Sequence, residues 1–479
     1  MQHSKIAFVA LMAAILVVMA AILPCGAADL RILYFNDFHG FAESSRRIGS
    51  DELQGGIAHL SFRAAELRKE KPSLLLAAGD MIQGDTWANL FAGKPSIDVM
   101  NAMGVDAMVV GNHEFDFGKT VLAKRIAEAR FPVLGANVTG LDALKPYVIR
   151  EVNGLKVAII GVVTEETPSA THPSNVAGLQ FLPVARTVRQ YVSELRHRVD
   201  VIVVLSHIGY NADMELAGAV NGIDVIVGGH SHTKAVKEIT VGKTVIVQAW
   251  EHGLVLGVLD LTVESGRITS VSDRLESITP ALMKKDEKVA AIVENYAGQV
   301  RESMGKVIGE ALVDLNAENA RTGESNMGNF VADIIRKESG AQAAIINGGG
   351  LRTSIMKGPV TVGNIYSVLP FNNYILSIRL TGQQIKDALE YGGSGKDRAY
   401  NRLDPGWFKR HDILQGTSAA DWVGKGGLSR RDLTPYFLPS AREFRAAAVE
   451  SIFLGYYLSW DPAETLRAAK ARGFQSRKE

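Results

Sequence analysis

The chain has 479 residues, 47% of them hydrophobic and 22% charged, which excludes a disordered or low-complexity polymer and allows about two to four domains with sizeable cores. Its formal net charge of +1 excludes nucleic acid and an anionic membrane surface as bulk electrostatic partners, so anion binding must come from local groups. The single cysteine, Cys25, excludes a disulfide framework, and any metal must be held by oxygen and nitrogen donors.

At the N-terminus Lys5 precedes an apolar run from Ile6 to Leu23, followed by Pro24-Cys25-Gly26-Ala27-Ala28. A positive start, an apolar stretch and small residues form the layout of a secretory signal peptide. Residues 1–28 are read so, and the mature chain is expected in the periplasm or outside the cell. A retained N-terminal anchor is the alternative, because the run approaches the length of a membrane span.

Residues 29–278 alternate β-branched runs with helical stretches. LRILYF, SLLLAA, DAMVVG, KVAIIGVV, VDVIVVLS, DVIVGG and TVIVQA predict buried strands. GIAHLSFRAAELRKE, TVLAKRIAEAR and ARTVRQYVSELRHR have helical spacing and charged outer faces. This is the signature of an α/β domain. LVLGVLDLTVESGRITSV predicts a closing hairpin or meander, and residues 279–305 predict an amphipathic linker helix. Residues 306–391 begin a second α/β pattern: GEALVDL, a helix over NMGNFVADIIRKES, a strand AQAAIIN and the turn GGGLRTS. TGQQIKDALEY starts like a further helix with Thr381 as N-cap. After Tyr391 the texture changes, and residues 392–479 read as a divergent, Arg-rich tail.

Five of the strand-like runs end in Asp, Asn or His: NDFHG with Asp37 and His39, AAGD with Asp80, VVGNHEFDFG with Asn112, His113 and Asp116, VLSHIG with His207, and VGGHSH with His230 and His232. In open α/β domains such positions gather beyond the carboxyl ends of the strands. Asp37 and His39 are two apart, so both side chains point to one side and can meet one ion. Asp80 offers two oxygens, the natural bridge between two cations. Asn112 adds an amide oxygen, and Asp116 is placed to accept a hydrogen bond from His113 and fix its ring. Each motif alone has a plain structural explanation; five at equivalent positions predict a centre for two divalent ions, and hence attack of metal-activated water on a phosphoester.

These motifs, in this order, resemble the calcineurin-like metallophosphatase domain of the secreted 5′-nucleotidase family, which includes UDP-sugar hydrolases and 2′,3′-cyclic-nucleotide phosphodiesterases. The resemblance implies a four-layer αββα sandwich followed by a second, truncated α/β domain. It implies that Asp37, His39, Asp80 and His232 hold one ion and that Asp80, Asn112, His207 and His230 hold the other, with His113 and Asp116 as catalytic dyad. The metals themselves, among Mn, Zn, Co, Mg and Fe, are left open. NMGNFVAD, NGGGLR and LPFNN resemble the family's nucleotide-recognition domain. By position, Arg321 and Arg352 match arginines that bind the anionic part of the substrate, Asn347 a base- or ribose-contacting residue and Phe371 half of an aromatic clamp.

After Tyr391 the Gly-Gly-Asp-Gly-aromatic loop that supplies the other half of the clamp does not occur. RLDPGWFKRHDILQGTSAADWVGKGGLSRRDLTPYFLPS resembles instead the C-terminal part of N-acetyl sugar amidotransferases, without that family's ATP-binding loop. The expected activity is hydrolysis of nucleoside 5′-phosphates or related nucleotides. The alternative is a metal-binding remnant with impaired catalysis, joined to an unrelated tail.

Overall fold

The computed structural model describes residues 27–318, 320, 325–371, 373, 375, 377 and 379. Along the chain run β1 (Ala28–Phe35), α1 (Ile57–Glu70), β2 (Ser73–Ala77), α2 (Lys94–Met103), β3 (Ala107–Val109), α3 (Lys119–Glu128), β4 (Val133–Leu134), β5 (Tyr147–Val152) and β6 (Leu155–Val163). They are followed by α4 (Val184–Leu195), β7 (Val201–His207), α5 (Tyr210–Ala219), β8 (Val225–Gly228), β9 (Ile239–Val241), β10 (Thr244–Gln248), β11 (Val255–Glu264) and β12 (Arg267–Ser277).

The strands form two six-stranded sheets, in the orders β12-β11-β1-β2-β3-β4 and β9-β10-β8-β7-β6-β5. Their central strands are parallel, with Arg31 opposite Ser73 in the first sheet and Val201 opposite Val157 in the second. Period-2 alternation decides the layering. Ile32 and Tyr34 of β1 face Val157, Ile159, Val203 and Leu205 across the gap between the sheets. Leu33 and Phe35 face outward onto Leu60 and Leu67 of α1. On the far side, Ile160, Ile202 and Val204 pack against Val188 and Val192 of α4 and Leu216 of α5. Each such side chain contributes about 1.5–3 kcal/mol by leaving water. The result is helix, sheet, sheet, helix, the four-layer arrangement that the family resemblance implies.

α6 (Glu287–Met304) starts at Asp286, whose carboxylate accepts from the N–H groups of Lys288 and Val289. Its Val289 and Val293 join the outer core of the first sheet. Beyond it come β13 (Val307–Ala311), α7 (Asn326–Ser339), a 3₁₀ turn at Gly348–Gly350, β14 (Gly358–Thr361) and α8 (Val362–Val368). Ile308, Leu315, Met327, Val331, Ile346, Val360 and Ile365 form a separate core there. One expectation fails: 341–347, read as the strand AQAAIIN, makes no ladder. Ala344 and Ile346 are buried, but no described strand pairs with this segment. Arg321, the helix expected after Thr381, the N-terminal 26 residues and the tail lie outside the described residues.

Candidate metal centre

The polar residues sit at one edge of the sandwich because five parallel strands end there: Asp37 follows β1, Asp80 β2, Asn112 β3, His207 closes β7, and His230 follows β8. Donor atoms of Asp37, His39 and His232 lie within 4.8 Å of one another, as do those of Asp80, His207 and His230. Asp80 joins the two groups, its Oδ2 lying 3.1 Å from His207 Nε2 and 3.7 Å from His39 Nε2. The backbone is bent to make this possible. Among the described residues ten non-glycine residues have positive φ, and five of them are Asp37, His39, Asp80, His230 and His232. Left-handed backbone at bulky residues is strained and is retained where the surroundings impose it, characteristically at functional sites. Space is equally tight. A Cβ on Gly111 would lie 2.2 Å from Asp80 Oδ1, so this loop approaches Asp80 only as glycine.

Three imidazoles are held by Nδ1, leaving Nε2 turned inward. His39 Nδ1 donates to the Gln83 carbonyl at 2.8 Å, His207 Nδ1 to the Ala78 carbonyl at 2.7 Å, and His232 Nδ1 to Glu251 Oε2 at 2.5 Å. A histidine whose outer nitrogen is fixed in this way turns the lone pair of the other inward, where a metal can take it; in His39 that lone pair accepts from Arg352 in this structure. Asp80 Oδ2, Asn112 Oδ1 and His207 Nε2 are buried and make no hydrogen bond of good geometry. Buried polar atoms are normally satisfied, so atoms left in this state beside the Asp80 group call for a ligand. The donor set, carboxylate, amide oxygen and imidazole, suits hard or borderline divalent cations.

The electrostatics agree. Burial alone would raise the Asp80 carboxyl, yet His207, His113 and His39 around it hold it well below the usual range. Burial would lower His207, but the Asp80 carboxylate pushes it up to about 10. Burial, followed by the positive charge of Arg352, holds His39 well below its ordinary value. The centre thus sets the buried Asp80 anion beside a His207 imidazolium and a neutral His39.

Beside the two groups, His113 Nδ1 lies 2.6 Å from Asp116 Oδ2, the contact the sequence predicts. Burial disfavours the imidazolium, but Asp116 and Asp80 outweigh it and raise the His113 pKa. The His113 backbone N–H donates to Asp80 Oδ1 at 2.9 Å, so His113 is indexed to the second oxygen of the carboxylate that joins the two groups.

The second domain reaches this centre. Arg352 Nη2 donates to His39 Nε2 at 2.8 Å, and its guanidinium carbon lies 5.7 Å from the centre of the Phe371 ring. Phe371 stacks on His113 with ring centres 5.4 Å apart and planes at 24°. Asn347 stays half-buried at the start of the 348–350 turn, where its Oδ1 lies 2.6 Å from the Cβ position of Gly350; no contact brings it to the ligand cluster. Two functional-looking residues escape the sequence reading. Glu114, fully buried, accepts from the N–H groups of Asp80, Met81, Ile82 and Gly111. Glu251 holds His232. The motif GNHE contains Glu114 in plain view, but its four partners are backbone groups that no spacing announces.

Residues 30–234 match the family described as calcineurin-like phosphoesterase, and residues 307–413 match the 5′-nucleotidase C-terminal domain. The human 5′-nucleotidase is 30% identical over 431 residues, covering 79% of this chain and 75% of that protein. The chain belongs to the 5′-nucleotidase family. The crystal structure of the 5′-nucleotidase precursor of Thermus thermophilus is 34% identical, with a TM-score of 0.71 over 79% of this chain and 80% of that one. The trifunctional nucleotide phosphoesterase YfkN of Bacillus subtilis is 33% identical over 418 residues, which are 77% of this chain but 28% of that protein. The chain thus spans less than a third of that relative's length. The second family match runs past Tyr391, and the tail's resemblance to amidotransferases falls outside the described residues and finds no support in either match.

Proposed function

We propose that this chain is a metal-dependent phosphoesterase that hydrolyses nucleoside 5′-phosphates. The observation that carries the reading is the convergence of Asp37, His39, His232 and of Asp80, His207, His230 into two touching donor groups. Asp37, His39, Asp80 and His232 would hold one divalent ion, and Asp80, Asn112, His207 and His230 the other. Bound there, two such ions supply Lewis acidity and an acidified water. The chain's own groups do the remainder. His113, oriented by Asp116, which favours its imidazolium, donates a hydrogen bond or a proton to the leaving oxygen. Arg352, whose planar guanidinium suits a phosphate, anchors the anionic part of the substrate. Phe371 supplies an aromatic face for a base. Arg321 and Asn347 are proposed as further substrate contacts, and UDP-sugars and cyclic nucleotides as further substrates. Export through the N-terminal segment belongs to the same proposal; no described helix is long and apolar enough to cross a membrane.

The test is phosphate release from AMP, UDP-glucose, cyclic nucleotides and bis-p-nitrophenyl phosphate, with and without EDTA. Release from AMP should stop in EDTA and return with Mn²⁺ or Co²⁺. His113→Asn should retain its metal yet lose about 100- to 10,000-fold in kcat. Activity that survives complete metal removal would refute the reading.

A further inference from the structure

His232 differs from the other anchored imidazoles in what fixes it. His39 and His207 donate Nδ1 to main-chain carbonyls, whereas His232 donates to a carboxylate, Glu251 Oε2, at 2.5 Å. That carboxylate is itself held. Arg47 Nη1 lies 3.4 Å from Glu251 Oε1, and Arg47 Nε donates to Glu318 Oε1 of the second domain at 2.9 Å. Arg47 also lies 4.9 Å from the centre of the Trp250 ring.

The loop carrying Glu251 is bent for this contact. Trp250 and His252, on either side, have φ of 54° and 56°. The loop is pinned to the Asp37 turn by three hydrogen bonds: Asn36 Nδ2 to the Trp250 carbonyl at 2.6 Å, Ala249 N–H to Asn36 Oδ1 at 2.8 Å, and His252 N–H to the Asp37 carbonyl at 2.8 Å. Glu251 and Asp37 are therefore tied together through the backbone, with His232 between them.

Glu251 also forms a cluster with His232 and His252 within 4.8 Å, which raises the question of direct ligation. Geometry decides against it. Glu251 sits on the Nδ1 side of His232, while Asp37 Oδ1 and His39 Nε2 each lie 3.2 Å from Nε2 on the opposite side. An ion on the Nε2 side lies across the ring from Glu251, and Nδ1 is already engaged in its hydrogen bond to Glu251.

We propose that Glu251 is a positioning residue for His232: it fixes the Nδ1–H tautomer and sets the affinity of the ion held by Asp37, His39, Asp80 and His232, with Arg47 steadying Glu251 from behind. A carboxylate behind a ligand histidine raises the ligand's basicity and fixes its ring, and loss of such a partner typically weakens metal binding about 10- to 100-fold. This inference rests on the metal-centre reading given above.

The test uses the full chain, stripped with EDTA and titrated with Mn²⁺ by calorimetry and metal analysis. Wild type should take up two ions. Glu251→Ala should weaken one of them about 10- to 100-fold and leave the other within about twofold. Glu251→Gln, whose amide oxygen still accepts from Nδ1–H, should recover most of the loss. Unchanged affinities in Glu251→Ala, or equal weakening of both ions, would overturn the assignment. A wild type that binds no ion at all would instead remove the metal-centre reading beneath it. If Glu251→Ala does not fold, ¹⁵N NMR of the Zn²⁺-loaded wild type decides: His232 coordinated through Nε2 with Nδ1 protonated supports the role, and coordination through Nδ1 overturns it.

Discussion

At the scale of single residues, this protein repeatedly buries ionisable groups and then compensates them. Away from the metal centre, Tyr34 shows how. Its ring passes beneath β11 at Gly257, where a Cβ would lie 2.1 Å from Tyr34 Cζ, and its hydroxyl donates to Asp273 Oδ1 at 2.8 Å. The other oxygen of Asp273 has no hydrogen-bond partner, and burial pushes this carboxyl up to about 6, from an ordinary 3.8. The folded chain therefore keeps a proton on Asp273 between about pH 4 and 6, where the unfolded chain has released it. Stability falls as pH rises through that window, and the cost is complete above about pH 6. Asp273→Asn still accepts from Tyr34 and carries no charge. Relative to wild type it should gain about 2 kcal/mol on going from pH 4 to pH 8, less than the full shift implies because Asp273 keeps some contact with water. Urea denaturation of both proteins at the two pH values measures this. A wild-type-to-variant difference that is the same at both would show that Asp273 ionises normally.

At the scale of elements, the strand ends that carry the site are stitched together by a side chain bonded to backbone N–H groups. Glu114 is the main stitch. It follows β3, and its carboxylate accepts from Gly111 N–H at 2.5 Å, Met81 N–H at 2.7 Å, Asp80 N–H at 2.8 Å and Ile82 N–H at 3.2 Å. Burial and the nearby Asp80 charge push its carboxyl up to about 7, while His207 and these donors oppose the rise. In Glu114→Gln an amide NH₂ faces backbone donors in a fully buried site. At pH 8 with EDTA present, the variant should lose about 2–4 kcal/mol in urea unfolding. A loss under about 0.5 kcal/mol would show that the loops after β2 and β3 hold their shape without it. The contrast with the candidate ligands shows what was legible in the sequence. The buried strands announce themselves as β-branched runs, and the polar residues that end them are visible because nothing apolar masks them. Helix α2 was not legible, because Gly93, Pro95 and Gly104 punctuate it like a loop, although Pro at the first turn and Gly at the end are what a helix tolerates. The apolar segment 341–347 misled in the other direction, since a strand needs a partner as well as a pattern. Glu114 and Glu251 were invisible for a third reason. One acts on backbone N–H groups, and the other meets His232 across 19 residues through a loop whose bend no local pattern encodes.

At the scale of the whole molecule, the described residues of the second domain meet the first through several polar contacts. Ser367 Oγ donates to Asp85 Oδ2 at 2.8 Å and lies 2.9 Å from Thr86 Oγ1, Arg47 reaches Glu318, and Arg352 and Phe371 rest on His39 and His113. Such a seat leaves the stability of the first domain to its own cores and to what its metal centre binds. Without cations, the fully buried side chains of Asp37 and Asp80 meet at one edge of the sandwich, and the Asp80 carboxylate is partly offset by a His207 imidazolium. Binding of ions to the folded chain alone therefore appears directly as stability, about 2.7 kcal/mol for each site at a hundredfold excess over Kd. In scanning calorimetry the EDTA-stripped wild type should show a Tm that climbs with the logarithm of Mn²⁺ concentration. Asp80 touches both donor groups, so Asp80→Ala should abolish the climb altogether rather than halve it. A variant that retained half the dependence would mean that the two groups bind independently and that Asp80 serves only one of them. A wild-type Tm indifferent to Mn²⁺ would mean that the strained backbone at Asp37, His39, Asp80, His230 and His232 is maintained for some purpose other than holding metal.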